Sequence, residues 1–499
     1  MKAGQDSILT YDLGTTAVKA ILWTPEGERL SGGEKEYPTL YPRPLWAEQD
    51  PEAWWVAVKA ATAECLKGMT GTGIIAIGLS SQREGVVAVD RRGQSLGNCI
   101  IWMDRRSITE AGVIARHFGH EEIHRRTGTI PDATFTATKL LWLRRNRPAL
   151  LRKTYRLLQP RDYLYFRLTG TWATDPSLAS RTMMFDLRKG AWWPAMFSYL
   201  KIPPGLFPEV YPSHQAPARM AHQVARELGL QDGIPVALGG GDRPCEALGG
   251  AIAPGQAMES TGTATNISVI TEGVPDRLHR AVACSFHVLP GKALLELALP
   301  TTGSILRWYR DLVGLEEGFT DLELWAREAP PGAKGLIALP FFMGARSVRW
   351  NPEARGLLFG LTLAHTRGDL ARAIMEGIAF EERACLEALK GMGIEPREIV
   401  ALGGGARSDL WNQIKADITG RIFARPRHTE AASLGAMVLA VTSVGAFANP
   451  QEAAARLNPP CARFRPRKAY RRLYLSMYEV YNKLYERVTT LFPELAQGV

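Results

Sequence analysis

The sequence predicts an α/β fold made of two related domains that face each other across a central cleft. Apolar strands alternate with helix-like stretches along the 499-residue chain, which is typical of layered α/β proteins. The hexapeptide Val-Ala-Leu-Gly-Gly-Gly occurs twice, at residues 236–241 and 400–405. Each half also carries a Gly/Thr-rich turn beside an apolar strand, at residues 12–16 and 260–263. These paired features predict a duplicated architecture.

The opening segment predicts a strand, a tight turn, a second strand, a helix and a third strand. Residues 7–11 and 18–23 are apolar and rich in β-forming side chains, and a Gly-Thr-Thr turn separates them. They therefore predict a β-hairpin. Residues 51–67 predict a helix with Asp50 as its N-cap, and residues 74–79 predict the next strand.

The two halves can be matched on their glycine-rich turns. Each copy of the hexapeptide follows a turn and precedes a predicted helix. Two domains that face each other would place all four glycine-rich turns around one cleft. We set the boundary near residue 253, which gives an N-terminal domain of residues 1–253 and a C-terminal domain of residues 254–499 that ends in a helical tail.

The composition excludes several classes of protein. With 46% hydrophobic and 22% charged residues, the chain is not wholly disordered. Its six cysteines are scattered without a CxxC pair, which excludes a disulfide scaffold and a zinc ribbon and indicates a cytoplasmic protein. The net charge of +10 comes without the interleaved aromatic residues typical of nucleic-acid binding. The uncharged, small-residue run at 431–448 predicts a buried helix rather than a membrane span.

The glycine-rich turns predict a phosphate-binding site. Glycine lets the backbone approach a phosphate closely, and threonine hydroxyls and free N–H groups can donate to its oxygens. A single turn of this kind is ordinarily only a turn, but four in matched pairs favour a nucleotide site. Lys19 could add a cation or lie on a solvated strand, and both interpretations stay open.

Two carboxylates stand next to these turns. Asp242 directly follows the first triple-Gly turn and could act as the general base in phosphoryl transfer. Asp12 lies beside the first Gly/Thr turn and could hold Mg²⁺ through water. Helix N-capping by Asp242 and turn-capping by Asp12 remain equal alternatives at this point.

The chain resembles the FGGY family of carbohydrate kinases over roughly residues 7–450. The resemblance rests on Tyr-Asp-Leu-Gly-Thr-Thr-Ala-Val-Lys at 11–19, on Gly-Gly-Gly-Asp-Arg at 239–243, on Thr-Gly-Thr at 261–263 and on Gly-Gly-Gly-Ala-Arg-Ser-Asp from 403. Residues 44–55 and 161–170 are similar to xylulokinases in particular. The resemblance implies the duplicated ribonuclease-H-like fold of actin, hexokinase and Hsp70, with ATP and Mg²⁺ as cofactors.

The resemblance also implies roles for individual residues. The general base of the family corresponds to Asp242, and the metal-binding carboxylates correspond to Asp12 and Asp242. The implied nucleotide contacts are Gly14, Thr15, Thr16, Gly262, Thr263, Gly303, Gly404, Gly405 and Ser408. The implied substrate contacts are Arg83, Glu84, Trp102, Asp104, Asp242 and Arg243.

The predicted substrate segments combine features of two kinds of FGGY kinase. Ser-Gln-Arg-Glu-Gly at 81–85 resembles glycerol kinases, whereas xylulokinases usually carry Met-His in place of Arg83 and Glu84. Thr134 stands where glycerol kinases place an aromatic side chain. Arg243 replaces the Asn of xylulokinases and the Gln of glycerol kinases. A surface ion pair for Arg83 and Glu84 and a core position for Trp102 remain the simpler alternatives.

We therefore expect an ATP-dependent kinase that phosphorylates a hydroxyl of a small sugar or polyol. A ketose such as xylulose or ribulose is the first choice. A glycerol- or erythritol-type polyol kinase and an autoinducer-2-type kinase are alternatives, as are an actin- or Hsp70-like ATPase and a non-catalytic sugar-binding regulator. The expected partners are the sugar or polyol and ATP, with no nucleic acid and no membrane, and a homodimer stays open.

Overall fold

Two seven-stranded sheets organise the chain. The computed structural model of the protein describes residues 6–69, 73–315 and 318–497. The strands of the first sheet are β1 (Ser7–Leu13), β2 (Ala17–Trp23), β3 (Arg29–Glu36), β4 (Ile74–Ser81), β5 (Ala218–Arg219), β6 (Pro235–Val236) and β7 (Gly240–Gly241). Those of the second are β8 (Gln256–Thr261), β9 (Thr265–Glu272), β10 (Ala283–Phe286), β11 (Lys292–Leu299), β12 (Glu398–Leu402), β13 (Ile422–Pro426) and β14 (Pro460–Phe464).

The two sheets repeat one topology. The first has the order β5-β6-β4-β1-β2-β3, with β7 also paired to β4, and the second has the order β10-β11-β9-β8-β12-β13-β14. In each, an antiparallel hairpin (β1-β2 or β8-β9) has a further antiparallel strand on one side and parallel strands on the other. The predicted duplication and α/β class are confirmed.

Helices cover the sheets and connect their strands. Up to residue 250, the described residues form α1 (Pro51–Cys65), α2 (Ile108–Phe118), α3 (His120–Thr127), α4 (Thr136–Asn146), α5 (Pro148–Lys153), α6 (Pro160–Thr169), α7 (Pro176–Ala179), α8 (Pro194–Leu200), α9 (His222–Leu228) and α10 (Asp242–Gly249). Later in the chain they form α11 (Gly303–Leu312), α12 (Thr320–Glu328), α13 (Arg367–Lys390), α14 (Asp409–Thr419), α15 (Ala431–Ser443), α16 (Pro450–Leu457), α17 (Arg471–Val488) and α18 (Phe492–Gln497).

Short strands also pair two by two outside the main sheets. These pairs are Glu48–Gln49 with Cys99–Ile100, Val87–Val89 with Arg156–Leu158, Ala173–Thr174 with Glu209–Val210, Phe185–Asp186 with Ala191–Trp192, and Ile337–Leu339 with Leu357–Phe359. Most belong to the segment between β4 and β5, which adds a separate apolar core to the N-terminal half. This insertion also contains the predicted substrate residues Arg83, Glu84, Trp102 and Asp104.

The predicted opening elements are confirmed. The hairpin of β1 and β2 turns at residues 14–16, as the Gly-Thr-Thr sequence predicts. α1 begins directly after Asp50, whose side chain accepts a hydrogen bond from the backbone N–H of Glu52 at 3.0 Å. The helix ends at residue 65, two residues earlier than predicted, and β4 runs two residues beyond the predicted strand.

The repeated hexapeptide does not occupy equivalent strands, which corrects the alignment of the two halves. Its first copy spans β6 and β7 beside β4, whereas its second copy enters β12, the counterpart of β4. What the copies share is local geometry. Gly239 and Gly403 both adopt a positive φ, of +68° and +73°. A Cβ at either position would press on the backbone of a neighbouring strand.

Two helices each pack on the sheet of the opposite half of the chain. α15 packs on the first sheet, where Ser433 and Thr10 share a hydroxyl–hydroxyl hydrogen bond of 2.7 Å. α10 packs on the second sheet, where Ala247 joins the core of Met258 and Val400. The run at 431–448 therefore contains a buried helix, as predicted, although the helix ends at residue 443. Within the described part of the chain, we find no helix with the length and apolarity that a membrane crossing requires.

Candidate active site

Asp12 and Asp242 carry two carboxylates at the point where the halves meet. Asp12 lies at the carboxyl end of β1, opposite Ser80 of β4, and its Oδ1 is buried without a hydrogen-bond partner among the described residues. Asp242 is the first residue of α10, and its side chain is 39% exposed. Burial, together with the negative charge of Asp242, raises the pKa of Asp12 to about 6. The two carboxylates are therefore close enough to repel each other, which favours a cation beside them.

This carboxylate pair fits a magnesium ion. Mg²⁺ is usually held through one or two carboxylates, while waters and substrate phosphates fill the remaining positions. The unpartnered oxygen of Asp12 can supply one such ligand. Residues 6–69, 73–315 and 318–497 contain no group of three or more His, Cys, Asp or Glu side chains placed to enclose a metal. The nearby ammonium of Lys19 pairs with Glu430 at 3.0 Å.

The first Gly/Thr turn joins β1 to β2 and is fixed by polar side chains beneath it. The side chain of Gln82 donates to the carbonyl oxygen of Gly14 at 3.2 Å. Trp102 donates its indole N–H to the hydroxyl of Thr15 at 3.0 Å. Because that hydroxyl accepts from Trp102, its own proton is available to a ligand. Thr16 is exposed at the tip of the turn.

The second Gly/Thr turn joins β8 to β9 and meets the N-terminus of α11. A Cβ on Gly303, the first residue of that helix, would lie 2.1 Å from the carbonyl oxygen of Gly262. On the other side of the turn, a Cβ on Gly405 would lie 2.6 Å from Cγ2 of Thr261. Ser408 caps α14 by accepting the backbone N–H of residue 411 at 3.1 Å. Turn, triple-Gly segment and helix N-termini thus converge, an arrangement that suits an anion.

Four of the five glycines predicted to contact the nucleotide fall into two groups, and the fifth, Gly14, is intermediate, since a Cβ there would lie 3.2 Å from the carbonyl oxygen of Ala17. Gly303 and Gly405 are required by packing, because a side chain at either would collide with protein atoms. Gly262 is different, since its φ is not positive and a Cβ there would meet no atom within 4 Å. Gly404 is nearly as open, with its single neighbour at 4.0 Å. At these two positions nothing described in the protein requires a glycine, and the space is available to a ligand.

Arg83, which follows β4, is held by carboxylates from both halves of the chain. Its Nε lies 3.1 Å from Oδ1 of Asp242, and its two terminal nitrogens each donate to Glu296 of β11 at 2.9 Å. Burial alone would lower the pKa of Arg83, but the carboxylates of Glu296, Glu84 and Asp242 raise it, so the guanidinium is charged. The side chain is 8% exposed.

Glu84 has an unusual backbone conformation for a residue with a side chain. Its φ of +64° lies in the left-handed region, a conformation that persists at functional sites when the surroundings impose it. Its carboxylate accepts from Nε of Arg181 at 2.6 Å, and its carbonyl oxygen accepts from Nζ of Lys139 at 2.7 Å. Burial lowers the pKa of Lys139 to about 8. These contacts fix the segment that carries Arg83 and Glu84.

The side chains of two other predicted substrate residues form hydrogen bonds with other groups of the protein. Asp104 is fully buried, and its carboxylate accepts from the backbone N–H of Ala47 at 2.6 Å and from Arg106 at 2.7 Å. This placement gives no support to a substrate contact by Asp104, and we leave it out of the proposed site. Arg243 donates to Ser260, beside the second Gly/Thr turn, at 3.0 Å and so connects α10 to that turn.

Comparisons with known proteins identify the family. Residues 7–249 match the N-terminal domain of the FGGY family of carbohydrate kinases, and residues 257–444 match its C-terminal domain. The chain belongs to this family. The xylulose kinase of Escherichia coli (strain K12) is 32% identical over 479 residues, which cover 93% of this chain and 97% of that protein. The glycerol kinase of Gloeobacter violaceus is 34% identical over 452 residues, 88% of each chain.

A solved structure also supports the fold of this FGGY kinase. The ligand-bound xylulose kinase from Lactobacillus acidophilus superposes with a TM-score of 0.92 at 25% identity, covering 98% of this chain and 100% of that one. The predicted actin- and hexokinase-type fold is confirmed. The chain is accordingly a carbohydrate kinase, a phosphotransferase that uses ATP and an alcohol acceptor. Xylulose and glycerol kinases match it at similar identity, so similarity alone does not choose the acceptor.

Sequence reasoning missed two residues of the charged cluster in this FGGY kinase. Glu296 is the one charged residue in the apolar stretch 293–299, and its partner Arg83 lies 213 positions away. Arg181 belongs to a short 3₁₀ helix (Ser180–Thr182) and approaches Glu296 at 3.7 Å. A lone acidic residue in an apolar strand was the only available signal, and it did not reveal the partner.

A buried ion pair supports the second Gly/Thr turn from behind. Lys415 of α14 donates to Glu259 of β8 at 2.9 Å, and both side chains are almost completely buried. Glu259 also accepts from the hydroxyl of Thr261, the last residue before the turn. Burial alone would lower the pKa of Lys415, but Glu259 and Glu382 raise it. The FGGY resemblance includes Lys415, and the structure gives it this supporting position.

Proposed function

We propose that this FGGY kinase transfers the γ-phosphoryl group of ATP to a hydroxyl of a small neutral ketose, with xylulose or ribulose as the first candidates. The observation that carries the proposal is the position of Asp242. Asp242 is the first residue of α10, and on one side it lies beside Arg83. On the other side its neighbour Arg243 donates to Ser260 at the second Gly/Thr turn. A carboxylate between a polar pocket and a phosphate site suits a general base.

The proposed reaction uses Asp242 as the proton acceptor. The sugar hydroxyl oxygen bonds to the γ-phosphorus while the bond from that phosphorus to the β,γ-bridging oxygen breaks. The hydroxyl proton passes to Asp242, and ADP and the sugar phosphate are the products. Arg83 donates to sugar oxygens, and Glu84 accepts from sugar hydroxyls. Trp102 forms the wall of the sugar pocket that faces the phosphates.

The nucleotide is proposed to bind along the converging turns. Gly14, Thr15 and Thr16 face it from the first half, and Gly262, Thr263, Gly303, Gly404, Gly405 and Ser408 face it from the second. The open space at Gly262 and Gly404 supports this assignment. Asp12, with Asp242, would hold the Mg²⁺ ion, which when bound neutralises phosphate charge. The unpartnered oxygen of Asp12 is the observation behind that role.

The charged side chains of the pocket are already paired with one another. Arg83 pairs with Asp242 and Glu296, and Arg181 pairs with Glu84 and approaches Glu296. These pairs leave neither guanidinium group unpaired for an anionic sugar, whose burial would therefore be unfavourable. A polyhydroxylated neutral sugar can instead accept from the guanidinium groups and donate to the carboxylates.

The size of the pocket wall separates two candidate acceptors. Thr134 occupies the position at which glycerol kinases carry an aromatic residue, and its hydroxyl is turned to Asp132 at 2.6 Å. A threonine there takes up less space than an aromatic side chain would, which favours an acceptor larger than glycerol, such as a five-carbon ketose. The Arg83–Glu84 segment favours a glycerol-type polyol, so we keep that as the second candidate.

A screen of acceptors tests the proposal. ADP release is measured with Mg-ATP over ketoses, aldoses and polyols of three to seven carbons. We expect a pentulose to reach a kcat/KM above about 10⁴ M⁻¹s⁻¹, with glycerol at least about 10-fold lower. Glycerol as the best acceptor would replace the first candidate by the second. ATP turnover that no acceptor stimulates would favour an ATPase, and sugar binding without ADP release would favour a regulator.

A further inference from the structure

The ion pair between Arg83 and Glu296 crosses from one half of the kinase to the other. Arg83 follows β4 of the first sheet, and Glu296 lies in the middle of β11 of the second. The contact is bidentate, with both nitrogen–oxygen distances at 2.9 Å. Because the two residues belong to different sheets, the contact forms only when the halves are arranged as they are here.

The bidentate contact determines the orientation of the Arg83 guanidinium. Glu296 takes one N–H from each terminal nitrogen, and Asp242 lies 3.1 Å from Nε. The hydrogen bonds to Glu296 account for two of the five N–H donors of a guanidinium, and the ion pair with Asp242 lies on the Nε side. The two remaining terminal N–H groups lie in the same rigid plane, so fixing that plane fixes the direction in which they can donate.

The surroundings keep Glu296 ionised. Burial alone would raise the pKa of Glu296, but the guanidinium groups of Arg83 and Arg181 lower it to about 2. Arg181 approaches Glu296 at 3.7 Å, and its Nη1 is buried without a hydrogen-bond partner among the described residues. Glu296 therefore supplies a permanent negative charge between two arginine side chains that border the proposed sugar pocket.

We propose that Glu296 is a positioning residue for the acceptor sugar, because from the second half of the kinase it orients the guanidinium of Arg83 beside Asp242. This inference rests on the proposed function, since it assigns to Arg83 a contact with the sugar. It goes further by making sugar recognition in the first half depend on a side chain of the second. Sugar affinity is thereby coupled to the arrangement of the halves that brings Arg83 and Glu296 together.

A purely structural role for Glu296 makes different predictions. If the ion pair only joined the halves, its loss would reduce stability and would affect sugar and ATP alike. A positioning role instead affects the KM for the sugar and depends on the presence of Arg83. Double-mutant analysis separates these two cases, because residues that act through each other are not additive.

The test compares Glu296→Gln, Arg83→Met and the double variant in the full-length kinase. Glu296→Gln should lower kcat/KM for the best acceptor by about 10- to 100-fold, mainly through a higher sugar KM, because a charged hydrogen bond is lost. The KM for ATP should stay within about two-fold. Glu296→Asp, which keeps the charge, should recover part of the loss. Glu272→Gln, an exposed carboxylate in the same sheet, is the matched control and should behave like the unaltered protein.

The outcomes separate this inference from the proposed function. In the Arg83→Met background, Glu296→Gln should add less than about three-fold to the loss. An unchanged sugar KM in Glu296→Gln, or a full effect that persists without Arg83, would overturn the inference while leaving the kinase assignment intact. Failure of the unaltered protein to phosphorylate any acceptor would overturn both. Thermal melting of each variant, with a normal Tm expected for Glu272→Gln, shows whether folding explains the loss.

Discussion

The side chain of Arg83 occupies the space that a Cβ at Gly241 would take. A Cβ at Gly241 would lie 2.4 Å from Cδ and 2.7 Å from Cγ of Arg83. Gly241 does not have a positive φ, so its backbone would accept an alanine and the conflict would be with Arg83 alone. The glycine immediately before the proposed base is therefore needed to let the proposed sugar-binding arginine reach its place.

Replacing Gly241 by alanine should weaken sugar binding. Gly241→Ala forces the stem of Arg83 to move and so disturbs its contacts with the carboxylates. We expect the KM for the sugar to rise by about 10-fold or more, as for the loss of a charged hydrogen bond, with little change in the KM for ATP. Steady-state kinetics measure both constants. The control is Gly205→Ala, where a Cβ meets no atom within 4 Å; an equal effect in both variants would contradict the role of Arg83.

Replacing Gly262 by alanine should separate folding from nucleotide binding. The position is open, so Gly262→Ala should fold with a Tm equal to or slightly above that of the unaltered protein. Alanine lowers the conformational entropy of the unfolded chain, which raises the free energy of unfolding by up to about 1 kcal/mol. The added methyl group lies where the phosphates are proposed to approach the backbone. We expect the KM for ATP to rise about 10-fold or more. A normal KM for ATP would remove Gly262 from the nucleotide site.

Removing the buried ammonium of Lys415 should destabilise the kinase. Lys415→Met leaves the buried carboxylate of Glu259 without its partner, which costs about 3–5 kcal/mol. Thermal or chemical unfolding measures the loss. The matched control is Lys59→Met, which breaks a half-exposed pair with Glu227 and should cost less than about 1 kcal/mol. Similar losses in the two variants would contradict the importance of burial at Lys415.

His287 should make stability depend on pH. Burial lowers its pKa to about 3 in the folded protein, below the roughly 6.5 of an unfolded histidine. Below about pH 6.5 the unfolded chain therefore binds a proton that the folded protein does not, and stability falls by up to about 1.4 kcal/mol per pH unit. His287→Asn can still accept the backbone N–H of Leu289 but does not titrate. Between pH 7.5 and 5.5 the Tm of His287→Asn should therefore fall less than the Tm of the unaltered protein. An identical fall in the two proteins would show that His287 is not the source of the pH dependence.

The sequence predicted the elements whose signals are local. The hairpin of β1 and β2, the Asp50 cap of α1 and the buried helix near residue 431 all follow from short-range patterns, and the structure has them. The equivalence of the two hexapeptides was wrong. Both copies share the local need for a glycine at the end of a parallel strand, and this need recurs on strands that are not counterparts.

The parts of the site that sequence did not predict depend on long-range contacts. Glu296 meets Arg83 across 213 positions of sequence, and only the folded arrangement of the sheets shows that the two are partners. Asp104 lies in a segment that resembles a pocket motif, yet its carboxylate accepts hydrogen bonds from Ala47 and Arg106 within the protein. A motif identifies a segment of the pocket, but not which of its side chains remain free for a ligand.

The most direct test of the account is the activity of Asp242→Asn. The substitution keeps the size of the side chain and removes its ability to take a proton, so ATP binding should stay within about three-fold while kcat for the best acceptor falls by about 10²- to 10⁴-fold. Nucleotide binding is measured by calorimetry and transfer by ADP release. Loss of transfer with retained ATP binding is the predicted result, and near-normal kcat in Asp242→Asn would contradict Asp242 as the base.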